Sequence, residues 1–303
     1  MDKGKNWRPK GKFITTPQSI EAAETVASWT GRSFDPVENQ KVVDTYHEKM
    51  FGDLLLTLSL PTDTIEFISG SFKMTTTFAA KGAAGDQIIL DETFDFWTFG
   101  LAHYACIATF EVLDDEEWSK LIENLGNMLL LYNDAHMYQT VREGFWHYME
   151  KYKQCLEFSH MLSKGILGFI LCHEIAHCQL DHLNAKASKA VELEADTLAV
   201  QHFLKIIHAN QASDNAAFHL HPAQQAAPLI SMELLNLHET WLSLNGVFPS
   251  NDSLHPRANE RKQNIENEIS PVLNEDSVYF YEGFLNAMDD LKTQMRKSTS
   301  TAL

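Results

Sequence analysis

Apolar residues recur at helical spacing along most of the chain and at strand spacing in one short region. Read with its caps and breakers, the helical pattern predicts helices over Pro17–Trp29, from Asp35-Pro36 to about Phe51, and from Asp114 to about Tyr132. Further helices are predicted over Gln139–Phe158, through the apolar stretch that runs up to His182, and over Ala187–Ala209, Pro228–Leu244 and Ser277–Arg296. Asp35 suits an N-cap and Pro36 a first helical residue. The acids Asp114 to Glu117 suit a first turn, where the helix dipole favours them. Between Asp53 and Leu90 the period falls to two. The runs 64–68, 72–78 and 87–90, separated by Gly70-Ser71 and by 81–85, predict a small antiparallel sheet of three or four strands. The aromatic row of Phe94, Phe96, Trp97, Phe99, Tyr104 and Phe110 reads as core, with His103 a core histidine. The fold class expected is α+β, predominantly helical. Its regions are an N-terminal arm (1–16), a helical region with the sheet (17–160), a helical region carrying the chemistry (161–297) and a tail (298–303).

The chemistry lies in ILGFILCHEIAHCQLDH, residues Ile166–His182. His173 and His177 are i and i+4 on a helix, so their side chains share one face, roughly 5–6 Å apart. Two neutral imidazoles so placed can hold one metal ion. Glu174, one step round, can take a proton from a water on that ion without binding it. The next helix supplies Glu192 and Asp196, again i and i+4. Glu192 can complete a His₂Glu set, and Asp196 can accept the second N–H of a ligand histidine and fix its ring. Glu194 lies about 200° round from Glu192 and is off that face. A short linker makes the two helices an antiparallel pair. The longer pattern with a third histidine ligand would need Gly at 180 and His at 183, where the chain has Leu180 and Leu183. Cys172 and Cys178 flank the motif but each points about 100° away from the ligand face.

HEIAH with His182 five residues on, ELEAD at Glu192–Asp196 and HPRANER at His255–Arg261 together resemble the gluzincin metallopeptidases of the CaaX-protease and heat-shock-protease type. The resemblance covers 162–264. It implies a zincin-like catalytic helix pair, Zn²⁺ as cofactor, Glu192 as third ligand, Glu174 as base, and His255 with Arg261 near the transition state. It also makes the predicted sheet the candidate partner of an extended substrate. The membrane spans common in those proteases are missing here, and the N-terminal half matches nothing in them. A chain of this length with a central HExxH is also similar to the Lit-type phage-exclusion peptidases, which implies cleavage of a translation factor inside a bacterium.

Composition narrows the setting. The net charge of −17, from 24 basic and 41 acidic residues, argues against a broad face for nucleic acid or anionic membrane. No uninterrupted apolar run reaches the ~18 residues that span a bilayer, and the basic N-terminus is followed by no signal-peptide core. Four cysteines without CxxC spacing are expected to stay free thiols in a reducing compartment. The expectation is therefore a cytoplasmic zinc endopeptidase acting on a protein or peptide substrate, with Glu174, His255 and Arg261 catalytic and His173, His177 and Glu192 on the metal. His255 is the expected oxyanion donor, with His219 and His221 as rivals in a loop. Arg261 is expected to support either His255 or a ligand carboxylate. The competing expectation is a zinc-binding sensor of the same fold with little turnover. Oligomeric state is left open.

Overall fold

The structure is a computed structural model that describes residues 36–70, 76–134, 138–212, 221–247 and 255–301. The expected arm, the expected helix over Pro17–Trp29 and the loop histidine His219 lie outside these residues.

Helix α1 (Pro36–Thr57) leads to three strands, β1 (Ile65–Gly70), β2 (Thr77–Lys81) and β3 (Asp86–Asp91). The sheet is mixed, not antiparallel as expected. Its order is β1-β3-β2, with β1 parallel to β3 and β2 antiparallel to it. Side-chain alternation states which face of a strand is buried but not which strand lies beside it. The deciding feature is Ile88-Ile89-Leu90, a run with every residue buried, which fits a strand flanked on both edges and covered on both faces. β1 and β2 are only partly covered and take the edges. Buried His47 ties α1 to the rest, with Nδ1 2.8 Å from the Ser69 hydroxyl and Nε2 3.1 Å from Asp95.

Helix α2 (Glu92–Phe110) starts directly after β3, with Asp91 as N-cap accepting from the Thr93 N–H at 2.7 Å. Its aromatic row is largely core, and His103 is a core histidine with Nδ1 3.0 Å from Ser159 Oγ. Helix α3 (Asp115–Asn133) opens on a capping box between Asp114 and Glu117. Helix α4 (Tyr138–Lys151) ends earlier than the expected Phe158. A short 3₁₀ turn at Lys153–Cys155 separates it from α5 (Leu156–Gln179). Neither Pro nor Gly marks this break. It accompanies the burial of Tyr152 and Cys155, a tertiary demand that local propensity does not register.

Helix α5 is the axis of the fold. It packs against α2, against β2, and against α6 (Lys189–Ala212) and α7 (Ala227–Leu244). Phe169 and Phe203 meet edge to face at 6.0 Å between α5 and α6. Gly165 lets the segment before α7 come close, since a Cβ there would stand 3.0 Å from Gln224 Cβ and 3.1 Å from Ala227 Cβ. The boundary expected at 160/161 falls within α5, and one core cluster draws on residues from both sides of it. Taken with its few polar residues, the stretch Lys153–Gln179 is long and apolar enough to cross a bilayer, contrary to a count of uninterrupted runs; here it is a core helix with most of its apolar window buried. Helix α8 (Ala258–Ile269) and the long α9 (Glu275–Thr301) complete the described chain. α9 runs through the start of the expected tail.

Candidate functional site

The ligand face of α5 looks across at the start of α6. His173 and His177 bring their Nε2 atoms to 3.0 Å from each other. Glu192 faces both, with Oε2 3.6 Å from His173 Nε2 and Oε1 3.7 Å from His177 Nε2. One ligand atom from each of the three residues lies within 4.8 Å of the others. Ligands at zinc's usual bond lengths of about 2.0–2.2 Å stand about 3.3–3.6 Å apart around a tetrahedron, so this donor set suits a cation of that size. Two imidazoles and a carboxylate are also the donors such an ion takes. Cys172 and Cys178 are buried and are not part of the set.

Behind the ligands the environment is charged and sealed. His173 Nδ1 lies 2.9 Å from Asp196 Oδ1. Arg261, from the first turns of α8, grips Asp196 with both ends of its fork, Nε to Oδ2 at 2.8 Å and Nη2 to Oδ1 at 2.6 Å. Burial raises the Asp196 carboxyl, but Arg261 and then His173 outweigh it and hold it at about 2. Burial works against the charged form of His173, yet Asp196 and Glu192 prevail and lift it to about 9. His177 is pushed the other way, to about 4, by burial and by its neighbour His173.

Glu174 is buried on the adjacent face of α5 and turned toward the sheet. Its Oε2 accepts the Ala79 backbone N–H of β2 at 2.7 Å. Burial raises this carboxyl to about 7, against the partial opposition of His173 and the Ala79 N–H. A group poised there can take and return a proton near neutrality.

His255 stands at the rim. Its side chain is 70% exposed, and its Nδ1 is 3.3 Å from Glu192 Oε2. After it, Pro256 leads towards α8, and the Ala258 N–H donates to Glu239 Oε1 of α7 at 2.9 Å. Arg261 makes its hydrogen bonds to Asp196, and the charge of Glu192 acts on it at longer range. The rival His221 caps a 3₁₀ turn and lies 6.1 Å from Phe158, near the far end of α5. Fifteen residues of helix put that about 22 Å from His173.

A cavity of about 620 Å³ opens over the site. Thr76 to Ala79 of the β2 edge form one wall, and Phe94, Trp97, Tyr132 and His238 an apolar end. Phe94 and Trp97 are core residues, as their spacing predicts, and also line this cavity, which spacing alone does not reveal. The Ala79 N–H left no trace in the sequence either, being a backbone group. His182 and Glu194, to which helical spacing assigns no role, stand behind His177: His177 Nδ1 is 3.1 Å from His182 Nδ1, and His182 Nε2 is 3.3 Å from Glu194 Oε2.

The model of the family described as Peptidase U49 matches residues 150–282, a span that holds α5, α6, α7, α8 and every site residue named above except those of the sheet, α2 and α3. The match is to a Lit-type peptidase family and carries none of the CaaX-protease particulars. No curated protein and no solved structure matches the chain. The match points to a peptidase, and so to a protein or peptide substrate.

Proposed function

We propose that the chain is a zinc-dependent endopeptidase in which His173, His177 and Glu192 hold the metal and Glu174 is the general base. The observation that carries this is the convergence of the three donors beside a buried carboxyl within one cavity. A zinc ion held there would polarise a water and the scissile carbonyl, lowering the pKa of the water from 15.7 towards about 7. Glu174, steadied by the Ala79 N–H, takes the proton from the attacking water and returns it to the departing amine. His255 at the rim is the donor proposed for the oxygen that becomes negative in the transition state. Arg261 acts at one remove, by fixing Asp196 and through it the His173 ring. An extended peptide would lie along the β2 edge, with the apolar end of the cavity receiving one of its side chains. Four free buried cysteines support a reducing compartment, the cytoplasm.

The test is metal analysis joined to a search for product. Purified wild type is expected to carry about one zinc per chain, Glu192→Ala to lose most of it, and Glu174→Gln to keep it. Cells expressing wild type are expected to show new protein N-termini that Glu174→Gln cells lack. Full zinc in Glu192→Ala would remove Glu192 as a ligand. Identical N-termini in the two cell populations would favour the zinc-binding sensor over the peptidase.

A further inference from the structure

Helix α5 ends at Gln179, and the turn after it is abrupt. Asp181 adopts the left-handed conformation, with φ 54° and ψ 28°, and a 3₁₀ turn follows at His182–Asn184. Asp is among the few residues that accept this backbone at low cost. Had the helix continued, position 182 would lie about 140° round from position 177 and point away from it. The left-handed residue reverses this and lays the buried His182 ring against His177, with ring centroids 5.2 Å apart.

We propose that His182 and Glu194 are positioning residues for the ligand His177, doing for it through two links what Asp196 does directly for His173. The inference rests on the metal-site reading above. Two ring nitrogens 3.1 Å apart can share only one proton: one donates and the other accepts. A His177 that presents a bare Nε2 to a metal must carry its proton on Nδ1. It then donates to His182 Nδ1, which must be bare, so His182 carries its own proton on Nε2. That proton faces Glu194 Oε2, 3.3 Å away, and an ionised carboxylate only accepts. Every hydrogen in the chain has one direction, and the direction set by Glu194 is the one that leaves His177 Nε2 free for metal. The spacing explains why Glu194 sits opposite Glu192 on α6. It serves the linker turn and not the ligand face.

The experiment measures zinc affinity by chelator competition and the visible spectrum of the cobalt-loaded protein, for wild type, His182→Ala, His182→Asn, Glu194→Ala, the double variant His182→Asn with Glu194→Ala, and the control Glu192→Ala. Melting of the metal-free proteins is followed in parallel. His182→Ala is expected to weaken zinc roughly 10–100-fold, the usual cost of losing a group that orients a ligand, and to alter the cobalt bands. His182→Asn keeps an acceptor where Nδ1 stood and is expected to restore most of the affinity. Glu194→Ala is expected to cost a few-fold in wild type and nothing further in the His182→Asn background, where the link to it is already cut. If His182→Asn is as weak as His182→Ala, His182 contributes packing and the proposal falls. Wild-type affinity in His182→Ala, with zinc lost in Glu192→Ala, overturns the positioning role and leaves the metal site standing. A wild type that takes up no zinc overturns both.

Discussion

His173 is backed by a carboxylate with no exposed surface and by an arginine that grips it with both arms of its fork, whereas His177 is backed by a buried histidine whose own partner, Glu194, is 64% exposed. The inner support joins three helices, since His173 belongs to α5, Asp196 to α6 and Arg261 to α8. The outer one joins α5 to α6 through the turn between them. Burying Asp196 and Arg261 carries a desolvation cost that an apolar pair would avoid, so fold stability alone does not account for the pair. What it secures is a fixed orientation of the His173 ring, one of the proposed ligands. The outer support forgoes that rigidity, since its last member, Glu194, is open to solvent.

If this contrast is sound, breaking the inner support should have the larger effect. Arg261→Ala leaves the Asp196 carboxylate buried without its main partner, and the expected cost is about 3–5 kcal/mol of fold stability. Urea unfolding of the metal-free protein measures it. For comparison, Lys189→Ala removes only the exposed ion pair to Glu260 (3.1 Å), for which about 0–1 kcal/mol is expected. Equal losses in the two variants would erase the distinction between a sealed support and a solvated one.

Next in size is the rim. His255→Ala is expected to bind zinc normally and to lose roughly 10²–10³ in kcat, the usual cost of one missing oxyanion donor. Its contact with Glu192 is open to water, so metal affinity should scarcely move. An alanine variant that loses zinc along with turnover would make His255 part of the metal support instead.

Asp196→Asn tests the inner support more gently than Arg261→Ala. The amide can occupy the same volume but accepts less strongly from His173 Nδ1–H, and roughly a 10–100-fold loss of zinc affinity is expected with the fold retained. Chelator competition giving the wild-type constant would show that the ring of His173 is held by its packing.

Residues that act through helical period were legible from sequence. His173, His177, Glu192 and Asp196 are i and i+4 pairs on two helices, and the structure brings all four together. The helical elements and the core role of His103 were legible for the same reason. What escaped depends on where separate segments end up. The strand order followed from the burial of Ile88-Ile89-Leu90 on both faces, which three short runs could not announce. Arg261 had two partners on offer along the chain, and its direct hydrogen bonds go to Asp196 in space. The role of His182 needed the left-handed Asp181, since on a regular helix that position faces away.

The smallest effect expected is at the backbone group that holds Glu174, the proposed base. Glu174 Oε2 receives the Ala79 N–H at 2.7 Å, and that N–H leaves the edge of β2 on the side away from β3. An edge strand tolerates proline where its N–H is not part of the ladder. Ala79→Pro therefore removes one charge-assisted hydrogen bond, worth about 1.5–3 kcal/mol, with little loss of pairing. Glu174 would keep its place on α5 but lose its fixed rotation, and the expected result is about a tenfold fall in kcat with zinc content unchanged, 1.4 kcal/mol corresponding to one factor of ten. Ala79→Ser, which keeps the N–H, should behave as wild type. The melting temperature of the metal-free proline variant separates loss of the bond from loss of the strand. A proline variant that melts with wild type and turns over as fast would mean that the Glu174 carboxylate is oriented by the cavity and not by the sheet, and the base would then share the looser footing of His177.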